Sequence, residues 1–322
     1  MTVMLGYEAL KGVLGMRDAI DLLEQSARHE AAGKTVISPR TNLDFEHGSM
    51  RMLFAIDYES GYFASKAYNR IQGAGVRYVV SLYRLKDGEL LALLDGQQIT
   101  DLRTGAASGV IARQVRISGP ITVGVLGSGN QARAQLESLS AAYAVQSAVV
   151  YSPNREHRTK SAFDMSAKLG YPVAAVDTAE SAARGCSVVA TATRSRSSEP
   201  VLRAEWLDHC RLLCAVGNTR KQFSEADVLC FRDAGLVVVD SMHAFKDTGE
   251  LIQAAKDDGL PPARCADLAQ VVTGAITVPT SGRVAFKSVG TALQDLALAV
   301  RYYELLGSRK GLPNAPDMGT LR

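Results

Sequence analysis

The sequence predicts an α/β protein in which a doubly wound parallel sheet is joined to a second, α+β domain. Three observations carry this. Beyond residue 120, short and wholly apolar runs alternate with helical segments, the signature of parallel strands covered on both faces. Between residues 35 and 94 the pattern is different: β-rich runs broken by turn dipeptides, as in an antiparallel sheet. A glycine-rich turn, VGVLGSGNQA, stands where the first parallel strand would pass into the first helix.

The 322 residues suffice for two domains of ordinary size. Apolar residues at 47% and charged residues at 21% are those of a globular chain and argue against disorder. The net charge of +3 is small and the basic residues are scattered, so no nucleic-acid partner is expected. No apolar run reaches the roughly 18 residues of a membrane helix, and MTVMLGYEALKGVL has one late Lys and no small-residue cleavage site, so no leader is expected. No membrane partner is expected, and a cytoplasmic location is. Cys186, Cys210, Cys214, Cys230 and Cys265 have neither C-x-x-C spacing nor even number, and the five histidines show no ligand spacing. The cysteines read as buried small apolar residues, and no metal is expected.

In chain order, apolar positions at helical spacing over residues 7–32 (Ala9, Leu10, Val13, Met16, Ile20, Leu23) predict two helices ending at Gly33. MRMLFAI, YFASKAY, VRYVVSLYRL and ELLALLD follow as strands, with Asp87-Gly88 and Asp95-Gly96 as turns. Thr100 then reads as the N-cap of a small-residue helix that leads to a boundary at Gly119-Pro120. ITVGVLG, SAVVYS, PVAAV, SVVATAT, RLLCAVG and LVVVD are the strands of the parallel sheet. The segment TGELIQAAKDDGL is helical, RVAFKSVG introduces a last long helix, and the tail from Gly307 reads as an extension or a partner contact.

The glycine-rich turn has the spacing of a Rossmann dinucleotide fold. Gly127 permits the tight turn, Gly129 lets a pyrophosphate approach the backbone, and Ala132 is small enough for helix to pack on strand. Ser128, Asn130 and Gln131 complete that turn, and the helix start offers free N–H groups to phosphate. Thr191, Ala192 and Thr193 after SVVATAT, with Val216 and Gly217 after RLLCAVG, are the further cofactor-binding candidates. The second strand ends in YSPNREHR, with no carboxylate to bond a ribose 2′-hydroxyl. Ser152, Asn154, Arg155 and also Arg158 could instead contact a 2′-phosphate, so NADPH is the expected cofactor and NADH the alternative.

Several segments together resemble the ornithine cyclodeaminase and mu-crystallin family: DGQQITDLRTGAASG, VGVLGSGNQA, TATRS with Pro200-Val201, AVGNTRKQFSE, VVVDS and FKSVGTALQDLA, in the family's order. The resemblance spans about residues 40–298. It implies a substrate and dimerisation domain split between the termini (residues 1–118 and 284–322) around a Rossmann domain (119–283), and a homodimer formed by pairing the sheets of the split domain. It also implies NAD(P) chemistry on small amino, imino or keto acids.

The family's substrate clamp, carried over by motif, falls on Arg40 (SPRTNLDF), Lys66 (FASKAYN) and Arg103 (DLRTG). A guanidinium grips a carboxylate through two parallel hydrogen bonds. Lys66 could also relay a proton if burial lowers its pKa. In cyclodeaminases an aspartate follows the AVG strand, whereas this chain has Asn218 and Thr219 there and no carboxylate before Glu225. Cyclodeamination is therefore disfavoured. The expected activity is reduction of an imino acid, or of a 2-oxo acid plus ammonia, to an amino acid. A non-catalytic binder of NADPH and a small ligand, of the mu-crystallin type, is the alternative. Thr219 lines the nicotinamide pocket or caps its loop; Asp295 and Lys287 read as structural.

Overall fold

The computed structural model describes residues 2–195, 197–309 and 311–313, so the tail reading beyond residue 313 lies outside the described residues. The chain divides into two compact units, Met1–Arg103 with Thr291–Arg322, and Thr104–Gly290. The first unit holds β1 (Val3–Leu5), α1 (Tyr7–Leu10), α2 (Met16–Ala31), β2 (Thr35–Ile37), β3 (Thr41–Phe45), β4 (Gly48–Asp57), β5 (Tyr62–Ile71), β6 (Gly75–Arg84) and β7 (Leu90–Asp95). The unit boundary falls within α3 (Gly96–Gln114). The second unit holds β8 (Ile121–Leu126), α4 (Asn130–Ala142), β9 (Val145–Tyr151), α5 (Arg155–Leu169), β10 (Val173–Ala175), β11 (Val188–Thr191) and β12 (Leu212–Ala215). It continues through α6 (Leu229–Arg232), β13 (Leu236–Val239), α7 (Ala244–Asp247), α8 (Gly249–Ala254), β14 (Cys265–Asp267), α9 (Leu268–Val272) and β15 (Val284–Lys287). The chain then returns to the first unit with α10 (Ala292–Leu306).

Among the described residues of the first unit, a seven-stranded sheet runs β1-β7-β6-β5-β4-β2, with β3 on β4. All its pairs are antiparallel except β1 on β7. Side chains alternate between faces along β4: Leu53 and Ala55 are buried while Met50 and Phe54 are exposed. The buried face is covered by α10, which packs across β4, β5 and β6 and against α2. Leu293, Leu296 and Val300 are among its buried side chains. Two local readings are corrected. β1 lies where no strand was expected, because three residues pair with β7 as an edge strand too short to show a period. Helix α3 starts at Gly96, not at Thr100: the Asp95 carboxylate accepts from the Gln97 and Gln98 N–H groups, so Asp95-Gly96 opens a helix and Thr100 lies inside it.

The second unit is built on an eight-stranded sheet, β10-β9-β8-β11-β12-β15-β13-β14, parallel throughout. Strand order reverses between β8 and β11, and the carboxyl ends of those strands frame the crevice where such sheets bind ligands. β11, β12, β13 and β15 are buried along their whole length, which accounts for their unbroken apolar runs. β15 pairs with both β12 and β13, so residues 284–290 belong with the dinucleotide-type sheet and not, as expected, with the terminal domain. Burial pushes the thiols of Cys210, Cys214 and Cys230 up to about 12, which makes them packing groups, not nucleophiles. No helix among the described residues is long and apolar enough to cross a membrane.

Candidate active site

The turn after β8 has the local geometry a pyrophosphate requires. The Gly127 N–H donates to Tyr151 O at 2.7 Å and the Ala192 N–H to Leu126 O at 2.8 Å, locking the turn onto both neighbouring strands. Gly127 sits at φ 131°, and a Cβ there would come within 2.6 Å of Ala192 O and 3.3 Å of the Ala132 Cβ. Only glycine fits at this position. Gly129 caps α4 without a side-chain hydrogen bond, and a Cβ on it would meet nothing within 4 Å. The space beside Gly129, at the start of α4 next to exposed Asn130 and half-buried Gln131, fits a dinucleotide's pyrophosphate.

At the end of β9, Ser152 and Ser128 share a hydroxyl–hydroxyl hydrogen bond of 2.9 Å, tying the glycine turn to the next strand. Asn154 caps α5, its side chain accepting from the His157 N–H at 2.8 Å. Arg155, first residue of α5, is exposed. Arg158 is otherwise engaged: it is buried, donates to Ser152 O and Pro153 O and pairs with Asp177, so it holds the loop together instead of reaching out to a phosphate.

The ends of β11 and β12 are joined by a residue that the sequence reading passed over. The buried Glu225 carboxylate accepts from the Thr193 N–H at 2.5 Å and from the Gly217 N–H at 2.8 Å, one oxygen to each strand end. A Cβ at Gly217 would strike that carboxylate. Thr191 is fully buried and takes the Val216 N–H on its carbonyl, Ala192 and Thr193 are half-buried, and Gly217 is exposed. Only an acid some residues after a strand end marks Glu225 in the sequence; nothing there says which amides it meets. Asn218 is committed to the loop that follows. Its amide donates to Arg220 O, Phe223 O and Glu250, and its oxygen accepts from the Arg220 N–H. Glu250 in turn takes the fully buried Lys287 ammonium at 2.9 Å, a packed network behind half-buried Thr219.

In the first unit, Lys66 projects from β5 on the face covered by α10, opposite Leu53 and Val80. Its ammonium donates to Thr100 Oγ1 at 2.6 Å and Asp295 Oδ1 at 2.7 Å, and lies 5.1 Å from the Tyr78 ring centroid. The Thr100 hydroxyl in turn donates to Gly96 O. Asp295 stands in the first turn of α10, where Thr291 and Gln294 form a capping box and the helix dipole favours a negative charge. Arg103 approaches from α3 with Nε 3.4 Å from Asp295 Oδ1 and Nη1 3.4 Å from Gln294 Oε1. Burial is the largest influence on Lys66; Asp295 opposes it, Arg103 and Arg40 reinforce it, and the outcome is a pKa lowered to about 8. Arg40, half-buried between β2 and β3, is therefore close enough for its charge to be felt at Lys66. The three expected clamp residues share one electrostatic environment, and Asp295, expected to be merely structural, is the direct partner of Lys66.

Three comparisons bear on this architecture. The model of the ornithine cyclodeaminase/mu-crystallin family matches residues 1–310. An alanine dehydrogenase of Archaeoglobus fulgidus is 31% identical over 313 residues, covering 94% of each chain. Among solved structures, the Δ1-pyrroline-2-carboxylate reductase of Thermococcus litoralis, in complex with NADH and L-proline, superposes with a TM-score of 0.88 at 27% identity over 94% of this chain and 97% of that one. An archaeal alanine dehydrogenase dimer with bound NAD gives 0.89 at 27% identity, over 98% and 99%.

Proposed function

Because this chain belongs to the ornithine cyclodeaminase/mu-crystallin family, we propose that it is an NAD(P)H-dependent reductase that converts an imino acid, or a 2-oxo acid plus ammonia, to an amino acid. The observation that carries this reading is the buried Lys66–Asp295 pair with Arg103 beside it: a proton-bearing group tuned to about 8 next to a guanidinium suited to a carboxylate. Relatives named for imine and amino acid redox chemistry point the same way.

When bound, NAD(P)H supplies the hydride. Arg103 and Arg40 hold the substrate carboxylate and so fix the imine carbon in place. Lys66 would hold the proton that the substrate nitrogen needs on reduction, and Asp295 and Thr100 keep its ammonium oriented. Cyclodeamination is disfavoured, because neither Asn218 nor Thr219 is an acid and Asn218 spends both ends of its amide on the loop and Glu250.

NADPH is the cofactor we favour, since no carboxylate occupies residues 152–155 and Arg155 is exposed at the start of α5. Cofactor oxidation with pyruvate, glyoxylate, oxaloacetate and cyclic imino acids, the oxo acids supplied with ammonia, tests the activity. Silence across that panel despite cofactor binding would leave only a binder. A lower KM for NADH than for NADPH would overturn the cofactor assignment.

Glu225→Gln should raise the KM for cofactor about tenfold with a smaller change in kcat. The carboxamide presents a donor where the carboxylate accepted, so one strand-end N–H is left unpaired. An unaltered cofactor KM in a folded variant would refute this role.

The protein is proposed to act as a homodimer in the cytoplasm. The support for the dimer is the outer face of the first unit's sheet, where Val36, Leu43, Met50, Phe54 and Val79 share one side, with Leu43 61% and Phe54 43% exposed. Phe54→Arg is expected to convert a dimer to a monomer in light scattering after gel filtration. A dimer of undiminished stability would remove this face from consideration.

A further inference from the structure

Resting on the reductase reading, we propose that Tyr78 is a positioning residue of the reaction: its ring, backed by Tyr68, lies over the Lys66 ammonium and holds that group in its proton-bearing form. Lys66 and Tyr68 are two residues apart on β5 and so share the face covered by α10. The register sets Tyr78 of β6 directly opposite Tyr68, one diagonal step from Lys66. The Lys66 Nζ lies 5.1 Å from the Tyr78 ring centroid and 6.0 Å from that of Tyr68. The two rings are 5.1 Å apart and inclined at 32°, two walls around one cation. Helix α3 starts close against Tyr78, for a Cβ on Gly96 would come within 2.6 Å of the Tyr78 Cβ. The same helix brings the Thr100 hydroxyl to Lys66 at 2.6 Å, so ring and hydroxyl are placed together.

The charges around Lys66 explain what an aromatic wall adds. Burial opposes its ammonium most, Arg103 of α3 and Arg40 between β2 and β3 oppose it further, and Asp295 of α10 supports it. Tyr78 is itself raised above the ordinary phenol range, by burial first and then by Tyr68, Asp101 and Asp295, against Arg103. It therefore presents a neutral ring to the ammonium, not a phenolate. Arg51 of β4 lies 5.9 Å from the Tyr68 ring centroid and donates to the Tyr68 hydroxyl, so Tyr68 meets two cations and Tyr78 is the ring nearer to Lys66. The negative face of a neutral ring attracts a cation without adding charge, and more strongly where water is excluded. A second carboxylate in that place would bind the proton too tightly to release it near neutral pH. A ring favours the ammonium only modestly and leaves it able to give the proton up.

The test compares Tyr78→Phe, which keeps the ring, with Tyr78→Leu, which removes it, in the full-length protein with NADPH, ammonia and an acceptor from the panel above. Tyr78→Phe should keep the break in the reductive pH–rate profile where wild type has it. Tyr78→Leu should move the break down by about 1 pH unit, as expected for a desolvated cation that loses an aromatic face. Its reductive kcat at about pH 8 should then fall about fivefold and recover on acidification, with the KM for NADPH unchanged. A break that stays in place in Tyr78→Leu, or that moves as far in Tyr78→Phe, would overturn the proposal. Should no acceptor be reduced, the reductase reading itself fails, and NMR titration of isotope-labelled lysine in the NADPH-loaded protein decides the role of Tyr78 separately, the Lys66 signal being assigned by its absence in Lys66→Met. A lower titration midpoint in Tyr78→Leu but not in Tyr78→Phe upholds it; one midpoint in all three proteins rejects it. If Tyr78→Leu does not fold, a ring-fluorinated phenylalanine at position 78 carries the same comparison, because fluorine drains the negative face and keeps the shape.

Discussion

Lys66→Met is expected to lower kcat by about 10²-fold or more, the usual worth of a positioned proton donor. The same change leaves Asp295 buried with Arg103, 3.4 Å away, as its partner among the described residues, so a loss of stability should accompany the loss of rate. The pH dependence separates the two effects. Burial first, with Arg103 and Arg40 acting against Asp295, lowers the Lys66 pKa to about 8. In the reductive direction the ammonium is the competent form, so kcat should fall as pH rises through about 8. In the oxidative direction the free amine is competent, and the rate should rise through the same pH.

The stability effect runs with its own sign. In the unfolded chain Lys66 returns to about 10.5, so between about 8 and 10.5 the unfolded state binds more protons than the folded one. Stability contributed by this residue is therefore lowest below 8 and improves as pH climbs through that window. Lys66→Met should abolish both signatures. A pH–rate profile in the variant that still breaks near 8 would assign the titration to another group.

Arg103→Leu is the second large effect. Loss of the bidentate grip should raise the substrate KM about 10²-fold, with cofactor affinity retained, because the residues that frame the glycine turn lie on β8, β9 and α4. A further consequence follows from the electrostatics. Arg103 is one of the charges holding the Lys66 pKa down, so its removal should move the break in the pH–rate profile upward. Arg103→Lys keeps the charge but loses the planar fork, and should recover the pH break more fully than the KM. An unchanged KM in Arg103→Leu would sink the clamp.

The parallel sheet, the antiparallel sheet and the glycine turn were legible in the chain because each is written locally. Strands buried on both faces have no polar alternation, and a turn that a Cβ would fill with a clash needs glycine at Gly127. The missing acid at Asn218 was equally plain. Arg40, Lys66 and Arg103 were recognised as a set only through motifs resembling a known family, since lone cations carry no address.

What the tertiary structure decided is which side chains meet. Lys66 and Asp295 stand 229 residues apart in sequence and 2.7 Å apart in space, brought together because α10 returns to cover β5 after the whole second unit has been built. Thr100 reads as a cap from its type and position but supports Lys66, because Asp95 had already capped the helix. Glu225 looked like the first acid beyond an empty position, yet it joins two strand ends. Periodicity and residue type report which face a side chain takes. The partner across that face depends on register and packing between distant segments, and only the folded chain supplies it.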